Sequence, residues 1–400
     1  MKLLNYLIVT ITLFVSMFTQ NAMAFAKIDV TQCSGVYRNS PNNSAPGLQT
    51  CINNAGSEAA IYFPPGYYTI ASTITVSNNN VTLFSDSRSS AQLKFTGCGD
   101  LIKFSKVGIP MYNGGVKGIW LLGDGHCAQT ALHFVDGSWF SVEDLQISGP
   151  LDSPGFSTGI QTNGREGFNI RNLFIAADNP IVISKNPNHA YLDADHFHFQ
   201  NIYSSILNGG SHHITMDPTI PITVTNMLID GQNPMAGGCG ILKWIQPSVS
   251  ASVSYHLKIS NIRHEQLAEG CDKQIDIELK TPLQGLIIDN VSFQADPFPP
   301  LITAIKVDMV DGMTVRNTSY YNPNSTASLQ GTFINAKNIK YIQLENNSYY
   351  PYSKNIIATD RSGAALVWKA GPYTGKECCY QETTGGPWIR TPDSGILGQP

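Results

Sequence analysis

Between about residue 138 and residue 350 one short phrase keeps returning: alternating apolar residues, an asparagine, then more alternation. It reads FNIRNLFIAA around Asn172, FHFQNIYSS around Asn201, ITVTNMLID around Asn226 and LKISNIRHE around Asn261. It continues as LIIDNVSFQ around Asn290, MTVRNTSYY around Asn317 and IQLENNSYY around Asn346. Asp144 holds the same place in FSVEDLQIS, as do Gly118 and Asn80 earlier. From Asp144 onward the steps are 28, 29, 25, 35, 29, 27 and 29 residues. A steady period in this range means stacked structural repeats.

The grammar inside each repeat selects the kind of stack. Phe168 and Ile170 precede Asn172, and Leu173 and Ile175 follow it. Apolar residues at every second position belong to strands. No amphipathic helix of ordinary length fits between the phrases. A unit of ~28 residues holding three short strands and three turns is one coil of a parallel β-helix. Such a coil cannot bury its apolar face alone, so neighbours share one core. The expected fold is an all-β, single-stranded parallel β-helix of about ten coils over residues 61–350. The asparagines are expected to point inward and satisfy buried backbone groups as an internal Asn ladder.

The ends read differently. Met1 to Ala24 has a basic start at Lys2, an apolar run from Leu3 to Phe18, and an Ala22-Met23-Ala24 cleavage site. This is the pattern of a secretory signal peptide, so the chain is expected to be secreted, extracellular or periplasmic. Residues 25–60, rich in Asn, Ser, Gly and Pro, are expected to cap one end of the coil, and residues 351–400 the other. No later apolar run is long enough for a membrane span. The net charge of -4 leaves no electrostatic footprint for nucleic acid. Eight cysteines in an exported chain suggest disulfides. Cys98 and Cys127 sit just ahead of equivalent strands in adjacent coils, as do Cys239 and Cys271. Coils ~4.8 Å apart bring each such pair within bridging reach. Cys33 and Cys51 close the N-terminal segment. Cys378 and Cys379 are left unassigned.

Residues 61–83, IYFPPGYYTIASTITVSNNNVTL, carry a phrase of the form FPPGxYxI, a second strand and then NVTL. This resembles the entry coil of the pectate-lyase-like superfamily, which includes phage tailspikes and secreted polysaccharide depolymerases. LDADHFHFQNIY at 192–203 and YHLKISNIRHEQ at 255–266 resemble the tailspike branch most. The resemblance implies a right-handed helix and a sugar cleft on one sheet and the turn after it. The motifs N-T-D, D-D, G-H-G and R-I-K of the polygalacturonase branch are absent.

One strand set, from LIKFS at 101–105 to AIKVD at 304–308, is expected to face that cleft. Its outward residues are read as His133, Gln161, Asn163, His213, Asp217, Trp244, Asp276, Glu278, Lys306 and Asp308. Three acidic groups stand out. Glu278 and Asp308 hold equivalent positions one coil apart, with Asp276 beside Lys306 and Asp217 earlier in the column. Glu166 and Asp195 each lie six residues before a repeat Asn and should stack, with Asp193, His196 and Arg165 near them. Asp230 and Glu265 each lie four residues after a repeat Asn. Paired carboxylates suit glycosidic hydrolysis, which needs one protonated and one ionised group. Like charges ~5 Å apart raise one pKa and create that division. Trp244 is read as a sugar-stacking platform, Trp120 and Trp139 as packing residues, and His264 as an inward core histidine. Arg165, Arg263 and Lys306 suit an acidic sugar or balance the carboxylates.

These features lead to an endo-acting glycoside hydrolase working on a polysaccharide without a cofactor. A polysaccharide lyase is the second expectation; it would use Ca2+ held by the acids and a base such as Lys306 or His213. A non-catalytic carbohydrate-binding adhesin is the third. The chain is expected to be a monomer or a homotrimer.

Overall fold

The computed structural model describes residues 26–150, 155–184, 192–206, 212–231, 234–250, 252–265, 273–294, 303–321, 333–350, 356–359, 361, 365–368 and 388–390. The signal-like segment Met1–Ala24 and most of the expected C-terminal cap fall outside them. The described chain is a parallel β-solenoid of about nine turns. Strand pairing is parallel throughout except where Ile356–Thr359 meets Ala365–Trp368.

Three sheets run along the axis. The first contains Val81–Phe84, Met111–Lys117 and Gly137–Glu143, and ends at Gly312–Arg316 and Tyr341–Glu345. The second contains Ala91–Phe95, Ile119–Gly123 and Gln146–Ser148. The third contains Ile74–Val76, Gly99–Phe104, Gln129–Phe134, Phe156–Thr162, His212–Met216, Gly240–Ile245, Thr303–Val310 and Ile334–Lys337. Long strands such as Asn169–Ile183 and Lys273–Gln294 run on through corners from one sheet into the next.

The corners explain the asparagines. Gly118, Asp144, Asn172, Asn201, Asn261, Asn290, Asn317 and Asn346 all have φ between 49° and 68°. This is left-handed backbone, which Gly and Asn adopt at least cost. One such residue per coil turns the chain from the first sheet to the second. The side chains do not point inward as expected. Asn201, Asn290, Asn317 and Asn346 are exposed, and Asn172 and Asn261 are half-buried. They bond along the outside of the corner: Asn201 Nδ2 donates to Asn172 Oδ1 at 3.2 Å, and Asn290 Nδ2 to Asn261 Oδ1 at 2.8 Å. The positions are selected by φ, not by buried polar groups.

Asn226 and Asn80 do not belong to this row. Gln200 pairs with Asp230 and Asp230 with Ser260, which puts Gly231 at the corner between Asn201 and Asn261. Asn226 pairs through its neighbours with His196 and His256, on a different corner that leads into the first sheet. The uneven steps of 25 and 35 residues come from this substitution.

Inside, alternate residues of all three sheets make one continuous apolar core. Its aromatic spine runs Phe104, Phe134, Phe168, Phe197, with ring centroids 4.9, 5.4 and 4.8 Å apart. Such pairs contribute about 1 kcal/mol each beyond their buried area. Trp244 lies in this interior, 0% exposed, with its Nε1 donating to the Ile222 carbonyl at 3.2 Å. It pairs with Ile277, an inward residue, so the expected sugar platform is a core side chain. Lys243 faces outward in its place, opposite Asp276.

At the N-terminal end the helix Ala45–Ala55 packs against the strand Ile74–Val76. Cys33 and Cys51 form a disulfide there, and Cys98 and Cys127 form one between adjacent coils. Cys239 is also disulfide-bonded, and Cys271 lies outside the described residues. Among the described residues no helix is long and apolar enough to cross a membrane.

Candidate functional site

On the third sheet, Glu278 pairs with Asp308 and Asp276 with Lys306, one coil apart. The arrangement is an ion network rather than an open carboxylate pair. Lys306 Nζ hydrogen-bonds Glu278 Oε1 and lies 3.9 Å from Asp276 Oδ1. Lys273 Nζ lies 3.3 Å from Asp276 Oδ2 and 3.9 Å from Glu278 Oε1. Burial tends to raise the Glu278 carboxyl, but the hydrogen bond and charge of Lys306, with Lys273, hold it below its ordinary range. Burial pushes Asp276 up, against the pull of Lys273. The two acids are thus driven apart as acid–base chemistry requires. The group that would carry the proton, however, is buried beneath two lysines. Asp308 accepts from Asn338 Nδ2 at 2.7 Å. Asp217, two coils before Glu278, accepts from both the amide and the hydroxyl of Thr219, at 2.8 and 2.6 Å, and shapes a turn.

His213 is not on the outward face. It is buried, with Nδ1 2.8 Å from Ser204 Oγ and its ring 5.4 Å from that of His264. His264 is inward, as expected, and 0% exposed. Asn163 is buried as well, where its Oδ1 accepts the Asp136 amide at 3.1 Å. Asp230 and Glu265 are not brought together, because Asp230 precedes the asparagine corner and Glu265 follows it. Asp230 accepts from Ser260 Oγ at 2.9 Å and Asn261 Nδ2 at 2.7 Å; Glu265 pairs with Arg263 at 2.5 Å.

The other corner assembles the remaining residues. Ser138 pairs with Glu166 and Glu166 with Asp195, so the two acids stack on adjacent coils. One ligand atom from each of Glu166, Asp195 and His196 lies within 4.8 Å of the other two. His196 Nδ1 is 2.8 Å from Asp195 Oδ1, and His196 Nε2 is 3.4 Å from Asn226 Nδ2. Asn226 Nδ2 can only donate, so it fixes Nε2 as the acceptor and leaves the proton on Nδ1, on the side of Asp195. Arg165 Nε stands 3.4 Å from Asp136 Oδ1 beside them. Asp193, two residues before Asp195, pairs with Thr223 on the next coil.

The same column continues in both directions. Tyr112 pairs with Ser138 at one end; Asp195 pairs with Thr225 and Thr225 with Tyr255 at the other. Tyr112 is 45% exposed and Tyr255 40%. Five coil spacings separate the tyrosines, about 24 Å at ~4.8 Å per coil, with the carboxylates midway. Next to this column every corner residue is left-handed, from Asn113 and Trp139 through Gly167, His196, Asn226 and His256 to Gly285. Trp139, expected as a packing residue, is 50% exposed. Its indole lies over Gly167, where an added Cβ would meet ring atoms at 2.3 Å. Sequence reasoning missed it because a tryptophan was read as packing by type, although the alternation with Phe140 and Val142 puts position 139 on the outer face. The signal available was Gly167 itself, one coil on, bare where the ring needs room.

Among the described residues, Glu166, Asp195 and His196 also bring two carboxylates and an imidazole close enough to hold a divalent cation. Two oxygens and a nitrogen suit Zn2+ or Mn2+ better than Ca2+, which takes six to eight oxygens.

No protein-family model and no curated protein sequence matches the chain. Solved structures do. The tailspike protein of Escherichia coli bacteriophage HK620, solved with a pentasaccharide, superposes with TM-score 0.55 at 13% identity over 81% of this chain and 62% of the tailspike. The family 28 exopolygalacturonase of Yersinia enterocolitica gives 0.53 at 10% identity, over 92% and 78%. The surface adhesin PfbA of Streptococcus pneumoniae gives 0.52 at 12% identity, over 92% and 100%. This chain thus spans about three fifths of the tailspike. At these identities the likeness establishes the architecture: the chain has the parallel β-helix fold of tailspikes and polygalacturonases.

Proposed function

We propose that this protein is a secreted, endo-acting glycoside hydrolase, with Glu166 and Asp195 as its catalytic carboxylates. One observation carries the reading. Trp139 and His196 hold left-handed backbone, φ 63° and 54°, directly beside the stacked acids. A bulky residue there costs about 1–2 kcal/mol that Gly or Asn would avoid, and strain of this kind gathers at functional sites. The disulfides Cys33–Cys51 and Cys98–Cys127 fit an oxidising compartment.

The roles follow from the contacts. His196 Nδ1 stands 2.8 Å from Asp195 Oδ1, and Asp195 is assigned the role of nucleophile. Glu166, stacked one coil before Asp195, is assigned as the proton donor to the leaving oxygen. Trp139 offers the indole face on which a sugar ring stacks. Carboxyl oxygens within 4.8 Å match the close spacing of retaining enzymes, about 5 Å, and not the wider gap that an inverting water needs. The midway position of the acids between Tyr112 and Tyr255 suits cleavage inside a chain.

The test is a panel of bacterial and plant polysaccharides scored by new reducing ends, with product anomers followed by NMR. Retained configuration is expected, with a loss of about 10³-fold in Glu166→Gln and Asp195→Asn. Full activity in both variants overturns the assignment. A product with enone absorbance would favour the lyase instead, with the same three side chains holding a cation. Glycan binding with no new ends would favour an adhesin, the class that PfbA represents.

A further inference from the structure

A second cluster lies on the opposite edge of the third sheet, away from the carboxylates. Cys98 and Cys127 stand just ahead of the paired strands Gly99–Phe104 and Gln129–Phe134, with Cα atoms 5.8 Å apart, and are joined as a disulfide. His126 Nε2 lies 3.3 Å from Cys127 Sγ and 3.6 Å from Cys98 Sγ. Its other nitrogen, Nδ1, is 2.5 Å from Asp124 Oδ1. Asp124 is itself fixed by Gln129 Nε2 at 2.8 Å. An ionised carboxylate only accepts, so Asp124 holds the proton on Nδ1 and turns the Nε2 lone pair toward the sulfurs. In the disulfide neither sulfur has a proton to give that lone pair. Cys98 and His126 are exposed and Cys127 is half-buried, so solutes reach the group.

We propose that Cys98, Cys127 and His126 form a redox-gated site for a soft divalent cation such as Zn2+, closed while the bridge is intact. A dithiol or phosphine reductant supplies two electrons and the S–S bond breaks to give two thiols, the reductant being oxidised in turn. Zn2+ then displaces two thiol protons and takes two thiolates and the Nε2 lone pair, with water as the fourth ligand. Two thiolates and one imidazole are a zinc donor set. A carboxylate behind the imidazole is the usual orienting partner of a ligating histidine. The parent coils need not move, because Zn–S bonds of about 2.3 Å require only rotation of the two cysteine side chains.

The test uses the full chain, phosphine-reduced under argon and titrated with Co2+, whose thiolate charge-transfer and tetrahedral d–d bands report the ligands. The expected result is one equivalent with thiolate charge-transfer bands in reduced protein and none with such bands in oxidised protein. Binding should disappear in the double variant Cys98→Ser/Cys127→Ser, which keeps every other cysteine. It should weaken 10- to 100-fold in Asp124→Asn and more in His126→Ala. Far-UV circular dichroism checks folding of each variant. Zn2+ should also protect Cys98 and Cys127 from iodoacetamide, read by peptide mass. Equal Co2+ binding in the double variant, or unprotected cysteines at saturating Zn2+, overturns the proposal.

Discussion

The deepest titratable groups in the core are His213 and His264, and together they set how the protein responds to mild acid. Both are fully enclosed, and burial is the largest cause holding each below the ordinary histidine value of 6.5. His264 is pushed down to about 4, with only a backbone group of Gly237 opposing the shift. His213 is lowered further by the charges of His264 and His212. A group whose folded value is depressed binds its proton more readily when unfolded. The stability contributed by keeping His264 neutral is therefore whole above pH 6.5 and falls as the pH drops toward 4. The full gap between 6.5 and about 4 corresponds to about 3 kcal/mol, of which about 2 is lost by pH 5. Carboxylates held below their ordinary range, such as Asp100, Glu143 and Asp289, lose their share only at lower pH. Asp276, raised by burial, works in the opposite sense. Urea unfolding between pH 8 and 5 at fixed ionic strength measures the slope. His264→Leu should lose about 2 kcal/mol less than the wild type between pH 8 and 5, the remaining slope being that of His213. A variant slope equal to that of the wild type would refute the reasoning.

Trp244→Ala should destabilise the fold by about 3–5 kcal/mol, seen in denaturant unfolding, and leave glycan affinity per folded molecule unchanged, because the indole never meets solvent. At the exposed asparagine corner, Asn201→Ala should cost about 1–2 kcal/mol, while Asn201→Gly should cost only tenths; equal losses in the two variants would show that the side-chain bond to Asn172, not φ 51°, sets the preference.

The coil was legible because its period and its alternation repeat many times, so single misreadings cancel. The site was less legible because it depends on single residues whose phase nothing averages. Placing Trp244 outward required Lys243 to point into the core, and a one-residue slip reverses every side chain on a strand. The charge of Lys243 carried the correct phase. Asn226 was taken for a row member since its flanking pattern matches, yet the register puts Gly231 at that place in the row, where the backbone is not left-handed and no asparagine is called for. Pairing Asp230 with Glu265 by offset then failed for the same reason: the two offsets were counted from residues on different corners. The offset that did place Glu166 opposite Asp195 was counted from Asn172 and Asn201, which share a corner.

The two corners differ in a way that bears on function more than either acid alone. Both use left-handed backbone in most of their described coils. The asparagine corner meets that demand with Asn, Asp or Gly wherever its described backbone is left-handed. The other corner meets it with Asn80, Asn113, Gly167, Asn226 and Gly285, but places Trp139, His196 and His256 among them. A fold that needs only to turn has no use for indole or imidazole at φ near 55°, since cheaper residues stand one coil away. Each substitution puts a large or titratable side chain on the outer edge of the turn, beside the column that holds Glu166 and Asp195. The cost is borne where the chemistry is proposed and avoided along the corner that only shapes the coil.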